Sequence, residues 1–436
     1  MHEASGMTRL CSISVAALLA ILPATVSAGG GDDDSAKPTC AELQKRADQT
    51  PLKGGLKKHR ESATYPPKIL ESPEIYRVGV RLAEVVERPG ASDCLVRRDW
   101  RVDAEYVYPA SAIKTTAAIA ALEWLNRREQ AGTKPEVGLD SVLWYRRPAD
   151  FDRLEETTWE WKRGGSLGEI IERTLVVSSN TGFNRLYDLV GHEQLNRQMW
   201  EAGLESVRVK HRMFSRRTVD EQKWTPRVAV EVPAEQGGED GGEATVLETI
   251  QPARRSELTL PATEAGRMEV GQTHVDFISG EYRAEPMDFR LKNYMSLADL
   301  QSMMVAIFRP ELSDRVSFDD LGPYRDFLVD MLGKHPEADE PSQQEELIRR
   351  FSPMLPGMAQ AVDRERLTVY NKAGRAYGFH IDNAYVVDQK TGRQFFVTAV
   401  IYANENEKLN DNDYQYETVT YPFLRAVGRM AVEQLL

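Results

Sequence analysis

Ser111 and Lys114 stand three residues apart in an alanine-rich run, Val107-Tyr108-Pro109-Ala110-Ser111-Ala112-Ile113-Lys114-Thr115-Thr116-Ala117-Ala118-Ile119-Ala120-Ala121-Leu122. Pro109 and Ser111 favour a helix start, and no Gly or Pro interrupts the run until Gly132. A helix beginning here projects both side chains from one face. An amine then lies within reach of a hydroxyl at a helix end with free N–H groups. A serine needs a base to become a nucleophile, and the charge developing on an attacked carbonyl needs donors. The pair alone is weak, since about one Ser-x-x-Lys arises by chance in a chain of this length.

Two further elements have the right chemistry. Ser178-Ser179-Asn180 falls at a helix-to-helix junction, where such residues also serve as ordinary N-caps. Lys372-Ala373-Gly374 directly follows a strand pattern over Leu367 to Tyr370, and a Gly there lets backbone approach a ligand closely.

In this order the three elements resemble the signatures of the serine β-lactamases and penicillin-binding proteins: Ser-x-x-Lys, Ser-Asp-Asn and Lys-Thr-Gly. The surroundings are similar too. Tyr106 to Lys114, Arg173 to Asn184, Asn293 to Leu300 and His380 to Val387 look like class A segments. The resemblance covers roughly residues 75 to 436, apart from 215–290. A literal Lys390-Thr391-Gly392 is a decoy. It sits between two strands after Asp388-Gln389, among ordinary turn formers, whereas Lys372 precedes the strand segment with Asp382-Asn383.

The resemblance implies acyl transfer without a cofactor or metal. Ser111 attacks an amide carbonyl. Lys114 takes its proton if burial and a neighbouring cation, Lys372, keep it neutral. Lys372 also holds a substrate carboxylate, beside Gly374. Ser178 relays a proton to the leaving nitrogen, and Asn180 binds the substrate's side-chain amide. The backbone N–H groups of Ser111 and Arg375 form the oxyanion hole.

The chain departs from the family pattern in three places. Ser179 replaces Asp. Ala373 replaces Thr and removes a hydroxyl that helps bind the carboxylate. The loop after the second motif, Val209 to Arg217, lacks the Glu that activates the deacylating water, and Phe214 falls near its place. Glu221, Glu231 and Glu235 follow, but no spacing selects one. The reading is therefore an exported β-lactamase-like serine hydrolase whose acyl-enzyme forms and is released slowly. Its partners are a small-molecule β-lactam or a peptidoglycan-like peptide. The alternatives are a penicillin-binding-type D-Ala peptidase, an esterase, or a non-catalytic cell-wall or protein binding module on the same fold.

The elements that position these residues are legible from periodicity. Tyr76 to Val86 alternates as a half-buried strand, Pro89-Gly90 turns the chain, and Cys94 to Arg98 returns. The pattern is mainly helical from about 112 to 360. It includes helices over Leu167 to Val177, Thr181 to Val190 and Leu195 to Ala202, and one opened by Ser296 and Asp299 in the manner of a capping box. Within 215–290, Val228, Val230 and Val232 alternate, an acidic Gly-rich run follows, and Thr245 to Leu247 returns as a hairpin. Strands dominate again over Leu367 to Tyr370, His380 to Val387 and Phe395 to Tyr402, before a closing helix from Tyr421. Strands at both ends with helices between predict an α+β fold, an α/β/α sandwich. Its antiparallel sheet is built from both chain ends with a helical region inserted.

The bulk properties narrow the class. At 436 residues and 41% hydrophobic content, the chain has ample core. A net charge of -12, with scattered Lys and Arg, argues against a nucleic-acid or anionic-membrane partner. Arg9, an apolar stretch from Leu10 to Ala24 and Val26-Ser27-Ala28 predict a signal peptide over 1–28 and a periplasmic or secreted protein with no stable membrane insertion. Residues 29–74 read as a tether and arm with one short helix, and 75–436 as the hydrolase domain. Cys11 leaves with the signal peptide. Cys40 and Cys94 remain, and in an oxidising compartment they most economically form one disulfide, the alternative being two buried thiols. The isolated histidines His192, His211, His274, His335 and His380 give no zinc-ligand spacing.

Overall fold

Five long strands make the central sheet. β1 (Gly79–Val86) and β2 (Cys94–Trp100) come from the N-terminal part; β3 (Leu367–Asn371), β5 (Phe379–Asp388) and β6 (Gln394–Tyr402) come from the C-terminal part. The short β4 (Gly374–Ala376) also pairs with β5. The order is β3-β5-β6-β1-β2, antiparallel throughout, so β1 joins the two chain ends by pairing with β6 from Gly79↔Val400 to Val85↔Gln394. The molecule is described by a computed structural model over residues 38–148, 159–234, 245–263 and 265–436. The expected signal peptide, the Gly29–Asp34 run and Glu235 lie outside the described residues.

Strand alternation sends side chains to opposite faces, and each face has its own core. Val80, Leu82, Val386, Val397 and Ile401 point to one layer, packed with the closing helix and the helix Leu52–Ala63. Ala83, Val85, Ile381, Phe396 and Val400 point to the other, which holds the inserted helices. This is the expected α+β sandwich. In that second layer run α1 (Lys114–Gln130), α2 (Leu167–Leu175), α3 (Asn180–Val190) and α4 (Leu297–Phe308); α5 (Tyr421–Leu435) closes the first layer. From Lys114 to Glu123 every residue of α1 is buried, which its run of small alanines permits.

Four features differ from the sequence reading. Residues 40–74 do not stand off as an arm with one helix. They carry helices at Cys40–Ala47, Leu52–Ala63 and Lys68–Glu71, and Leu52, Leu56, Tyr65 and Ile69 are core residues of the unit Cys40–Leu436. The Lys and Gly around those apolar positions obscured their helical spacing. The region 112–360 is also less helical than expected. Val142–Pro148 and Trp159–Ser166 pair, and with Val228–Pro233 and Thr245–Gln251 they form a four-stranded antiparallel sheet. Trp144, Tyr145 and Trp161 carried that β signal. At α4 only half of the capping box forms. Ser296 accepts from the Asp299 N–H, while the Asp299 carboxylate accepts from Ser206 and Arg315. The long helix expected from Ser111 begins as a 3-10 turn over Ala110–Ile113 and becomes α-helical at Lys114.

Cys40 and Cys94 form a disulfide, with 5.5 Å between Cα atoms. Among the described residues no helix is long and apolar enough to cross a membrane.

Candidate functional site

Ser111 sits in the 3-10 turn that opens α1, on the wall of a cavity of about 1260 Å³. Its hydroxyl and its backbone N–H make no hydrogen bond among the described residues. Ala110, just before it, holds φ at +46°, a conformation that costs an L-residue energy and persists only where its surroundings impose it.

The surroundings that impose it are β3 and β4. Lys372 and Ala373 join these strands, and the Lys372 N–H donates to the Asn383 carbonyl at 3.1 Å. Gly374 then passes against the turn that carries the serine. A Cβ at this position would lie 2.6 Å from the Ser111 nitrogen, 2.8 Å from the Ala112 nitrogen and 2.8 Å from the Pro109 oxygen. All three are backbone atoms, so only glycine allows this approach.

Lys114 is fully buried beneath the serine. Its Nζ donates to the Ser178 carbonyl oxygen, to Ser178 Oγ at 3.3 Å and to Asn180 Oδ1 at 2.7 Å. Burial disfavours the ammonium, and Lys372 and Arg350 add positive charge nearby; together they pull the amine down to about 6. Lys372 is itself buried, which lowers it to about 7 against the opposing pull of the Asp382 carboxylate; its Nζ donates to the Ala373 carbonyl at 3.3 Å. Burial raises Asp382 to about 6. The Asp382 carboxylate accepts from Asn371 Nδ2 at 2.7 Å, the Asn383 N–H at 3.0 Å and the Met354 N–H at 3.2 Å.

The second motif lies at the junction between α2 and α3. Ser178 holds φ at +55°, which turns its carbonyl and hydroxyl toward Lys114. Ser179 caps α3, its hydroxyl accepting from the Gly182 N–H at 3.0 Å. Ser and Asp are about equally good N-caps, so the Ser in the middle of this motif keeps the structural job that an Asp could do. Asn180 is the first residue of α3 and, like Ser178, lines the cavity.

The structure thus brings Ser111, Lys114, Ser178, Asn180, Lys372 and Gly374 together. Arg375 follows on the same wall. Its side chain leaves the centre, stacking 4.7 Å over Tyr416 and reaching Glu417 at 3.6 Å. Lys390-Thr391-Gly392 lies in the β5–β6 turn, where the Thr391 hydroxyl donates to Asp388 at 2.6 Å.

The loop after α3 also lines the cavity. Met213 exchanges hydrogen bonds with the Asn184 side chain at 2.7 and 3.0 Å, tying the loop to α3. Arg212 forms a buried ion pair with Asp188 at 2.6 Å. His211 accepts from the Asn293 N–H and contacts the Arg212 carbonyl, so both ring nitrogens are occupied. The glutamates named from sequence have other work. Glu221 closes a capping box with Thr218, and Glu231 accepts from Trp144 Nε1 at 2.6 Å. Of the four carboxylates that line the cavity, Asp288 and Glu269 pair with Arg290, Asp276 accepts two N–H groups of its own turn, and the Glu285 side chain makes no hydrogen bond or ion pair among the described residues.

Sequence reasoning missed Arg350 and Phe277. Both reach the cavity from segments far along the chain, the helix Pro341–Phe351 and the turn before Tyr282–Arg283, and neither belongs to a motif.

Residues 101–235 match the sequence model of the Beta-lactamase enzyme family. No curated protein matches the chain. Among solved structures it is similar to a class A β-lactamase from Bacteroides cellulosilyticus, at 13% identity and a TM-score of 0.44, covering 88% of this chain and 98% of that one. A β-lactamase from Xanthomonas campestris gives 15% identity, a TM-score of 0.44 and the same coverage. A PBP-A variant, captured as an acyl-enzyme with penicillin G, gives 15% identity and a TM-score of 0.44, covering 88% of this chain and 97% of that one.

Proposed function

We propose that the chain, whose residues 101–235 match the sequence model of the Beta-lactamase enzyme family, is a β-lactamase-like serine hydrolase that forms an acyl-enzyme on Ser111 with β-lactams or related amides and esters. The observation that carries the proposal is an unpaired serine hydroxyl on the cavity wall with a buried, desolvated lysine, Lys114, one turn on and hydrogen-bonded to the cavity residues Ser178 and Asn180.

In the proposed sequence a neutral Lys114 turns its lone pair to Ser111 and gives up its longest hydrogen bond, the 3.3 Å contact to Ser178 Oγ. Ser111 Oγ bonds to the carbonyl carbon as its proton passes to Nζ. The unpaired Ser111 N–H and the Arg375 N–H, one residue beyond the Gly374 contact, receive the oxyanion. When the C–N bond breaks, Ser178 hands a proton to the leaving nitrogen and is reprotonated from Lys114. Asn180 holds the amide on the acyl side. Lys372 holds a substrate carboxylate without the help of a hydroxyl at Ala373.

Release is the slow step in this account. Phe214 falls near the place where the family carries its water-activating Glu, and of the cavity carboxylates Glu269, Asp276 and Asp288 are engaged elsewhere, while Glu285 lies on another segment and belongs to no motif. This favours a long-lived acyl-enzyme, as in a penicillin-binding protein, over rapid turnover. A peptidoglycan-like peptide is the corresponding natural substrate class. Export is part of the same proposal. Its supports are the signal-peptide pattern over 1–28 and the Cys40–Cys94 disulfide, a bond that persists in oxidising compartments.

A fluorescent penicillin tests the reading. Wild type becomes labelled and Ser111→Ala does not. No labelling, or equal labelling of the variant, removes the β-lactam assignment. Hydrolysis of p-nitrophenyl acetate without labelling points to an esterase, and inertness to both points to a binding module.

A further inference from the structure

We propose that the cavity mouth is a subsite for an extended apolar arm, alkyl or aryl, on the acyl side of the substrate, formed by Phe214 and Phe277 with Ile278 and Leu291. The inference rests on the reading of Ser111 as the acylated residue.

Phe214 is 81% exposed, yet its backbone is held at φ +52°, an outlier for a bulky residue. Its ring meets that of Phe277, from a different segment, at 4.9 Å and 65°. The turn that presents Phe277 is fixed by Asp276, whose carboxylate accepts from the Ile278 N–H at 2.9 Å and the Ser279 N–H at 2.7 Å. Ile278 and Leu291 are 55% and 54% exposed. All four line the same cavity as Ser111. Large apolar side chains left in water on the walls of a reactive cavity mark a binding surface, because covering them is favourable.

The geometry also gives the direction. The Asn184–Met213 hydrogen bonds tie the Phe214 loop to α3, the helix that begins at Asn180. Phe214 therefore stands on the Asn180 side of Ser111, while Ala373, Gly374 and Arg375 line another part of the same cavity. A substrate whose carboxylate meets Lys372 places its acyl arm toward Phe214. The cavity volume, about 1260 Å³, exceeds the roughly 300–1,000 Å³ of ordinary small-molecule sites and leaves room for such an arm.

The test compares p-nitrophenyl acetate, octanoate and 4-phenylbutyrate, the last two separating alkyl from aryl arms. Wild-type kcat/KM rises about tenfold or more from acetate to the better long ester. Phe214→Ser and Phe277→Ser remove that gain, bringing the ratio of long-ester to acetate kcat/KM to about one. A second measurement does not need acylation: calorimetric binding of octanoate, 4-phenylbutyrate and acetate to Ser111→Ala. At least one long acid binds about tenfold tighter than acetate, and Phe214→Ser in that background abolishes the difference. Equal binding of all three acids, or a gain that survives both Phe variants, overturns the subsite. Ester hydrolysis by Ser111→Ala at the wild-type rate, with tight long-acid binding retained, would instead overturn the Ser111 reading.

Discussion

Gly374 and Ser111 are in backbone contact: a methyl group on Gly374 would stand 2.6 Å from the Ser111 nitrogen. The third motif is thereby fitted against the first, and the proposed oxyanion donors and the proposed nucleophile share one wall. Gly374→Ala forces backbone to move on one side or the other. The expected cost is about 1–3 kcal/mol of stability and, through misplacement of the serine, about 10²-fold in acylation rate. Stopped-flow acylation and chemical denaturation check both. A Gly374→Ala protein that acylates at the wild-type rate would show that the contact does not position the site.

The pH dependence of acylation follows from the two buried lysines. Lys114 must be neutral, and burial with its cationic neighbours brings it to about 6, so the rate rises with pH through that value. Lys372 must be charged, and at about 7 it loses its proton as pH rises further, so the rate falls again. A narrow bell near neutrality is expected in kcat/KM. Removing the cation by Lys372→Ala raises the Lys114 pKa and moves the acid limb to higher pH; an unmoved limb would mean that Lys372 does not act on Lys114.

Asp382 touches neither Ser111 nor the cavity surface, yet its charge supports the ammonium of Lys372. Asp382→Asn keeps an acceptor for Asn371 but turns an N–H₂ group toward the Met354 N–H, with a stability cost of about 1–3 kcal/mol. Its diagnostic effect is on titration. With the carboxylate gone, the Lys372 pKa falls, the alkaline limb moves to lower pH, and KM rises for substrates bearing a carboxylate. A stability loss with an unchanged pH profile would assign Asp382 a packing role only.

Ser178 is held at φ +55°, where glycine sits at no steric cost. Ser178→Gly is expected to gain about 1 kcal/mol of folding stability and to slow acylation, since the proton relay goes with the hydroxyl. Thermal unfolding and labelling rate measured on the same preparation check the two opposite effects.

Where residue order and local period decide the outcome, the sequence was readable. The alternation of β1, β5 and β6 revealed the sheet, and three short motifs in fixed order pointed to one site. The strands around Trp144 and Trp161 carried a β signal in their aromatic residues, which the mainly helical pattern on either side masked. The strain at Ser178 and Ala110 has no sequence sign, since neither is a residue type that favours positive φ. Arg350 and Phe277 enter the cavity only through the fold, as does the meeting of Phe277 with Phe214. The absence of a glutamate in the loop was visible in sequence, but the engagement of Glu221 and Glu231 elsewhere was a matter of structure.

The central claim is that Ser111 takes up an acyl group and releases it slowly. Intact-protein mass after exposure to penicillin, followed over time and mapped to a peptide, tests it directly. The account predicts an increase of one penicillin mass on the Ser111 peptide that reaches one adduct per protein and persists well beyond the acylation phase, and is absent from Ser111→Ala. An unmodified Ser111 peptide at every time point, in protein that neither labels nor turns over the penicillin, would contradict it.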